Sequence, residues 1–142
     1  MARMELDGLN YAIDAMQKMG VGVGEVGRDM VQKGAEVVAE QRKKEATRRG
    51  LKDTGSMIKN IRPVRAVKEV NGALEITVYS QGTDKTKKTP VRNAAKEFMN
   101  HYGYKSKPAT HWVDSAEKKA APIAEKAMVR IWNKFIKSGG GE

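Results

Sequence analysis

One apolar stripe in the last third of the chain constrains the fold more than any other feature. Trp112, Ala116, Ala120, Ile123, Ala127, Ile131 and Phe135 recur at spacings of three and four residues, with Lys118, Lys119, Glu125, Arg130 and Lys134 off the stripe. That period belongs to one face of a long helix. Such a helix draws its stability from covering its stripe, so other elements must lie against it. Pro122 stands inside the run and is expected to kink or divide it. Asp114 and Glu117 have the spacing of a capping box at its start. Ser138-Gly139-Gly140-Gly141-Glu142 reads as a disordered Gly-rich tail.

The elements that could cover this helix lie upstream. Leu6, Leu9, Ile13, Met16 and Met19 mark a short amphipathic helix, which Gly20 to Gly24, with three glycines in five positions, should break. Val26, Met30, Ala35, Val37, Val38 and Gln41 mark a longer helix over about 24–47, ended by Arg48-Arg49-Gly50. Within it, Gly27 and Gly34 either weaken the helix or permit a close helix contact. The middle of the chain reads as a long hairpin. A strand from Met57 to Val67 is followed by an Asn71-Gly72 turn and the alternating strand Leu74-Glu75-Ile76-Thr77-Val78-Tyr79. Pro63 cannot donate to a ladder, which places its strand at an edge or at a bulge. A polar loop from Ser80 to Thr89 follows; with no apolar anchor, it is expected to be mobile. Val91, Ala94, Ala95, Phe98, Met99 and Tyr102 favour a short helix, although Glu97 to Tyr102 also admits an extended reading. With no internal repeat and no linker, 1–137 reads as a single α+β domain. It has an N-terminal helix pair, a small antiparallel sheet with a long hairpin, and a long C-terminal helix packed on the sheet.

The absence of cysteine removes disulfide scaffolds and thiol catalysis. The longest stretch free of acids and bases is eight residues, Ile76 to Thr83, which leaves no room for a helical membrane span. Met1 to Glu5 has no apolar segment behind its base, so no signal peptide is expected there. The net charge of +10 comes from 27 bases and 17 acids. It is concentrated at Arg42, Lys43, Lys44, Arg48, Arg49 and Lys52, and again at Lys85, Lys87, Lys88, Arg92 and Lys96. Such a balance favours anionic partners. No aromatic residues are interleaved for base stacking and no reader motif is present, so solvated faces or contacts to acidic protein surfaces fit better than sequence-specific nucleic-acid binding.

Gly22-Val23-Gly24-Glu25-Val26-Gly27 has the spacing of a dinucleotide fingerprint, but a helical stripe precedes it where that motif needs a strand. His101 and His111 have no obvious third ligand and read as half-buried ring contacts beside Tyr102 and Trp112. Ser56, either histidine, and Asp53 or Asp114 supply the letters of a triad without the local context of one. No carboxylate pair stands out. The sequence points to no enzyme, metal or cofactor.

Three segments resemble, in order and spacing, the tail-completion or head–tail joining (neck) proteins of long-tailed bacteriophages and prophages. They are Leu51-Lys52-Asp53-Thr54-Gly55-Ser56-Met57-Ile58-Lys59-Asn60-Ile61, Asn93 to Gly103, and Lys107-Pro108-Ala109-Thr110-His111-Trp112-Val113 before the closing helix. Thr54, Gly55, Ile58, Ile61, Tyr102, Gly103, Pro108, Ala109 and Trp112 carry the likeness. The family's usual pattern is altered at Met57 and Asn60, at His101, which replaces an acidic residue, and at His111-Trp112, which replaces Pro-Phe.

The resemblance implies a non-catalytic assembly protein that forms a ring in the virion neck or tail end, after a period in the host cytoplasm. Its partners would be further copies of itself and the phage connector (head-closure) and tail-tube proteins. DNA contact, if any, would not be sequence-specific. The expected interface is the sheet edge near Pro63 together with the loop carrying Gly82, Lys85, Lys87 and Lys88. The rival reading is a basic nucleic-acid-associated protein that grips phosphates through Arg42 to Lys52, chiefly Arg42, Lys43, Lys44, Arg48 and Arg49.

Overall fold

In the computed structural model, helix α1 runs from Val23 to Arg48, within one residue of the expected bounds. The structure describes residues 2–3, 23–51, 54–70, 73–86, 88–104 and 108–138; the short helix expected near 6–19, the residues of the Asn71-Gly72 turn and the Gly-rich tail from 139 lie outside these. The end of α1 follows from its sequence. Gly50 takes φ 67°, the Leu51 N–H donates to the Ala46 carbonyl, and the Gly50 N–H donates to Thr47. These two bonds satisfy carbonyls that the last turn would otherwise leave open.

After α1, Gly55 at φ 86° starts a four-residue helix, α2 (Ser56–Lys59), where a strand beginning at Met57 was expected. Met57 turns into the core while the strand itself begins only at Ile61. The long hairpin follows. β2 (Ile61–Pro63) pairs antiparallel with β5 (Thr77–Ser80), and β3 (Lys68–Val70) pairs with β4 (Ala73–Glu75) across the two-residue turn position. Between the two ladders, residues 64–67 face only 76–77, so the bulge begins directly after Pro63. On its other side β5 pairs with β1 (Ala2–Arg3), leaving β2 at an edge of the order β1-β5-β2. Ile76, Val78 and Ser80 are buried in alternation, which extends the expected pattern by one polar residue.

The polar loop is better tethered than expected. Its start forms β6 (Thr83–Asp84), paired with β7 (Val91–Arg92), and the Asp84 side chain is buried. β7 leads into helix α3 (Asn93–Tyr102), which excludes the extended reading of Glu97 to Tyr102. The last helix, α4 (Trp112–Lys137), runs through the exposed Pro122 without being divided.

The layers are ordered by helix α1, which lies against β2 and β5 on one side and along α4 on the other. The C-terminal helix therefore covers the sheet mainly through α1. Its buried row is Trp112, Ala116, Ala120, Ala124 and Met128, whereas Ile123 is 45% exposed. Packing follows the row of residues four apart. The small Ala124 is fully buried, whereas the stripe read from the sequence carries the larger Ile123. Val26, Met30, Val38, Ile61, Ile76 and Trp112 belong to one continuous core.

Candidate docking face on helix α3

Helix α3 is amphipathic in the reverse sense. Its buried residues are Asn93, Lys96, Glu97 and His101, at helical spacings on one face. Its aromatic residues point outward, with Phe98 59% and Tyr102 55% exposed and Tyr104 just beyond at 52%. The Phe98 and Tyr102 rings contact each other with centroids 4.7 Å apart, as their four-residue spacing permits. A helix normally turns its apolar stripe inward, so this one is held by polar contacts strong enough to reverse the preference.

Those contacts can be named. Glu97 Oε2 accepts the Ser80 backbone N–H at 2.7 Å. Asn93 Nδ2 donates to the Gln81 carbonyl, and the Asn93 N–H donates to Gly82. The Lys96 ammonium donates to the Asp84 carboxylate, which also accepts from the hydroxyls of Thr54 and Thr86. These bonds hold the Asp84 carboxyl well below the usual carboxylate range, Lys96 first among them. Burial pushes the Glu97 carboxyl up, against the opposing pull of Arg42 and the Ser80 N–H. Three buried polar side chains of α3, Asn93, Lys96 and Glu97, thus stitch it to the sheet and to the β6–β7 hairpin, and the apolar stripe is left outside.

Between α3 and α4 lies an open groove of about 600 Å³, walled by Phe98, Tyr102 and Val113, with Glu97, Asp114 and Glu117 among its polar lining and Arg92 also lining it. Behind it is Arg42, 1% exposed. Its guanidinium donates to the Val78 carbonyl and to Glu117 Oε1 at 2.9 Å, and its Nη1 stands 3.8 Å from Glu97. Arg42 is therefore a core cation and does not offer itself to a phosphate, as the nucleic-acid reading required. Arg48 and Arg49 are committed as well: both donate to the buried Glu45 carboxylate, with Lys119 as a third donor. Arg49 also reaches the Thr110 carbonyl and Ser115 Oγ, tying the end of α1 to the start of α4. Of that basic run Lys43 is half-buried and Lys44 exposed, while Lys52 is outside the described residues.

The residues of the family likeness divide by role. Ile61 and Trp112 are core, and Ile58 packs against it. Gly55 and Gly103 (φ 78°) take left-handed values that glycine adopts without a Cβ clash. Thr54 holds Asp84, Pro108 and Ala109 are exposed, and Tyr102 belongs to the outward stripe. Of the expected interface, Gly82 (φ 80°), Lys85 and Lys88 are exposed at the β6–β7 hairpin, and Lys87 lies outside the described residues. The edge near Pro63 is blunted. Pro63 has no N–H, and Gln81 Nε2 donates to the carbonyls of Arg62 and Pro63 at 3.0 and 3.1 Å, so little is left for an added strand. The outward aromatic stripe was missed because its three-and-four spacing is also that of a core-facing helix.

Two other expectations change at the start of α4. Asp114 and Glu117 form no capping box. The residue before the helix is His111, at φ 49° and without a side-chain cap, while Glu117 serves Arg42. His101 packs edge-on against Tyr102 as expected, at 4.5 Å, but His111 contacts His101, at 5.0 Å between centroids, and is exposed. Burial lowers the His101 pKa, favouring the neutral imidazole. Among the described residues no helix is long and apolar enough to cross a membrane. No protein-family model matches the chain, and comparison with curated proteins and with solved structures gives no significant match.

Proposed function

We propose that this chain is a structural assembly protein of the neck or tail end of a long-tailed phage, acting through ring-forming contacts between subunits and with connector and tail-tube proteins. The observation that carries the reading is the reversed helix α3, whose aromatic stripe of Phe98 and Tyr102, continued by Tyr104, faces solvent beside a groove. Clustered exposed aromatics of this kind mark protein interfaces. The ordered likeness to neck proteins supplies the place of action, the virion, with the host cytoplasm as the site of synthesis and waiting. The polar bonds under α3 explain how such a face is presented without refolding inward. A mean hydropathy of −0.62 and a charge of +10 fit a subunit that stays dispersed until its partner arrives. Lys85 and Lys88, exposed on the neighbouring hairpin, supply a second, electrostatic contact, to which the intervening Lys87 adds charge.

Native mass measurement of the purified chain, alone and co-expressed with a tail-tube or connector protein, tests the reading. Higher oligomers or a stable complex are expected. They should be lost in the Phe98→Ser/Tyr102→Ser variant, whose melting temperature stays near the parent's because both side chains are more than half exposed. Reversal of Lys85, Lys87 and Lys88 to Glu should likewise spare the fold and block head–tail joining. A chain that remains monomeric with every such partner overturns the reading, and one that instead binds DNA with a loss of about 0.9 log units per phosphate contact per decade of salt establishes the rival.

A further inference from the structure

The connection from α3 to α4 brings together three side chains that the sequence separates. His101 Nε2 and His111 Nδ1 each stand 3.9 Å from the same oxygen, Asp114 Oδ2. One ligand atom from each of the three residues falls within 4.8 Å of the others. We propose that these residues form a binding site for a borderline divalent transition-metal ion of the zinc or nickel class, held by two imidazoles and one carboxylate.

The donor set fits that class. Imidazole nitrogen with a single carboxylate suits Zn²⁺, Ni²⁺ and Cu²⁺, whereas Ca²⁺ and Mg²⁺ call for more oxygen ligands. Zinc bonds of about 2.0–2.1 Å to nitrogen and 2.0–2.2 Å to oxygen place tetrahedral neighbours about 3.4 Å apart, so each histidine nitrogen needs to approach Asp114 by roughly half an ångström, and the two imidazoles, within 4.8 Å of each other, need to close by up to about 1.4 Å. His111 and Asp114 are exposed and free to make that movement. The fourth position would be open to water from the groove.

The backbone of this junction is already tied in place. The Thr110 and His111 N–H groups both donate to the His101 carbonyl, at 3.2 and 3.0 Å, and Thr110 Oγ1 donates to the Asn100 carbonyl at 2.6 Å. Arg49 holds the Thr110 carbonyl from the other side. His111 is an independent pointer. At φ 49° it is the one non-glycine residue with positive φ among the described residues, a strained conformation of the kind that collects at binding sites. In this conformation the His111 ring stands against that of His101, with the two rings at 82°.

Ligation has one cost in the protein. His101 Nδ1 accepts the Val113 N–H at 3.4 Å, so the neutral ring carries its proton on Nε2. Binding through Nε2 moves that proton to Nδ1 and gives up this long bond. The displaced N–H lies in the first turn of α4, where backbone donors lack helical partners in any case. Affinity should accordingly be micromolar, below that of a closed structural site.

The test is titration of ZnCl₂ alone into the full-length, untagged chain after chelator treatment and dialysis, by calorimetry at pH 7.5. One ion per chain is expected, with a rise in melting temperature. His111→Ala and Asp114→Asn should each weaken binding about tenfold or more, while apo melting temperature and circular dichroism stay near the parent's. His101 is left intact in these variants because its ring is packed. Absence of saturable binding at 1 mM zinc, or stoichiometric binding that both variants leave unchanged, overturns the proposal. The outcome is independent of the oligomer and partner measurements.

Discussion

Replacing Arg42 with Met tests the claim that a buried cation organises this fold. The guanidinium is 1% exposed, bonded to the Val78 carbonyl, and sits between Glu97 and Glu117. Methionine keeps much of the side-chain volume and removes the charge. Glu117 is partly exposed and loses little, but Glu97 is left as a buried carboxylate without its cation. Breaking such a pair from one side costs about 3–5 kcal/mol, out of a total stability of about 5–15 kcal/mol for a domain. At roughly 4 °C per kcal/mol for a chain of this length, the melting temperature should fall by about 12–20 °C.

The Arg42→Met loss should depend on pH and on Glu97. Burial already raises the Glu97 pKa, and removing Arg42 takes away the largest opposing influence. A carboxyl with a raised folded value contributes its stability below the unfolded value and loses it as pH rises through the folded one. The deficit of Arg42→Met should therefore be smaller at about pH 5 than at about pH 8. Adding Glu97→Gln should recover part of it, because an amide oxygen can still accept the Ser80 N–H. Urea unfolding of the parent, both single variants and the double variant at the two pH values closes the cycle. A deficit under about 1 kcal/mol, or no recovery on adding Glu97→Gln, would refute the reasoning.

Three further outcomes follow from the same contacts. Trp112→Ala, at a fully buried core position, should cost about 3–5 kcal/mol in urea unfolding. Glu45, held well below its ordinary value of 4.5 by Arg48, Arg49 and Lys119, contributes stability that is present above that value and lost as pH falls below it. Glu45→Gln should therefore flatten the acid limb of the stability–pH curve, which unfolding midpoints between about pH 6 and pH 3 would record. Asp84→Asn should speed amide exchange across Thr83 to Arg92 by about tenfold, the factor expected for losing one hydrogen bond to a charged group, with little change at the α1–α4 contact.

The sequence by itself determined whatever depends on near neighbours along the chain. The period of α1 and its Gly50 stop, the hairpin paired across residues 71–72, the edge position of Pro63 and the extent of α4 all follow from spacing and from residues with restricted or unusual φ. The ion pairs of Glu45 with Arg48 and Arg49, which the structure shows, are likewise local, three and four residues apart on one helix. Only the tertiary structure decided which faces turn inward. Glu117 lies 75 residues from Arg42, so no local pattern announces that a basic run begins with a core arginine. Trp112 to Met128 is buried on a row rotated away from Ile123 because α1 sets the line of contact. Helix α3 shows the reason most plainly. Periodicity reports that a helix has two unlike faces, and burial normally selects the apolar one. Here Asn93, Lys96, Glu97 and His101 find charged and backbone partners on β5, β6, α1, α4 and the β5–β6 turn, and Phe98 and Tyr102 are left facing water.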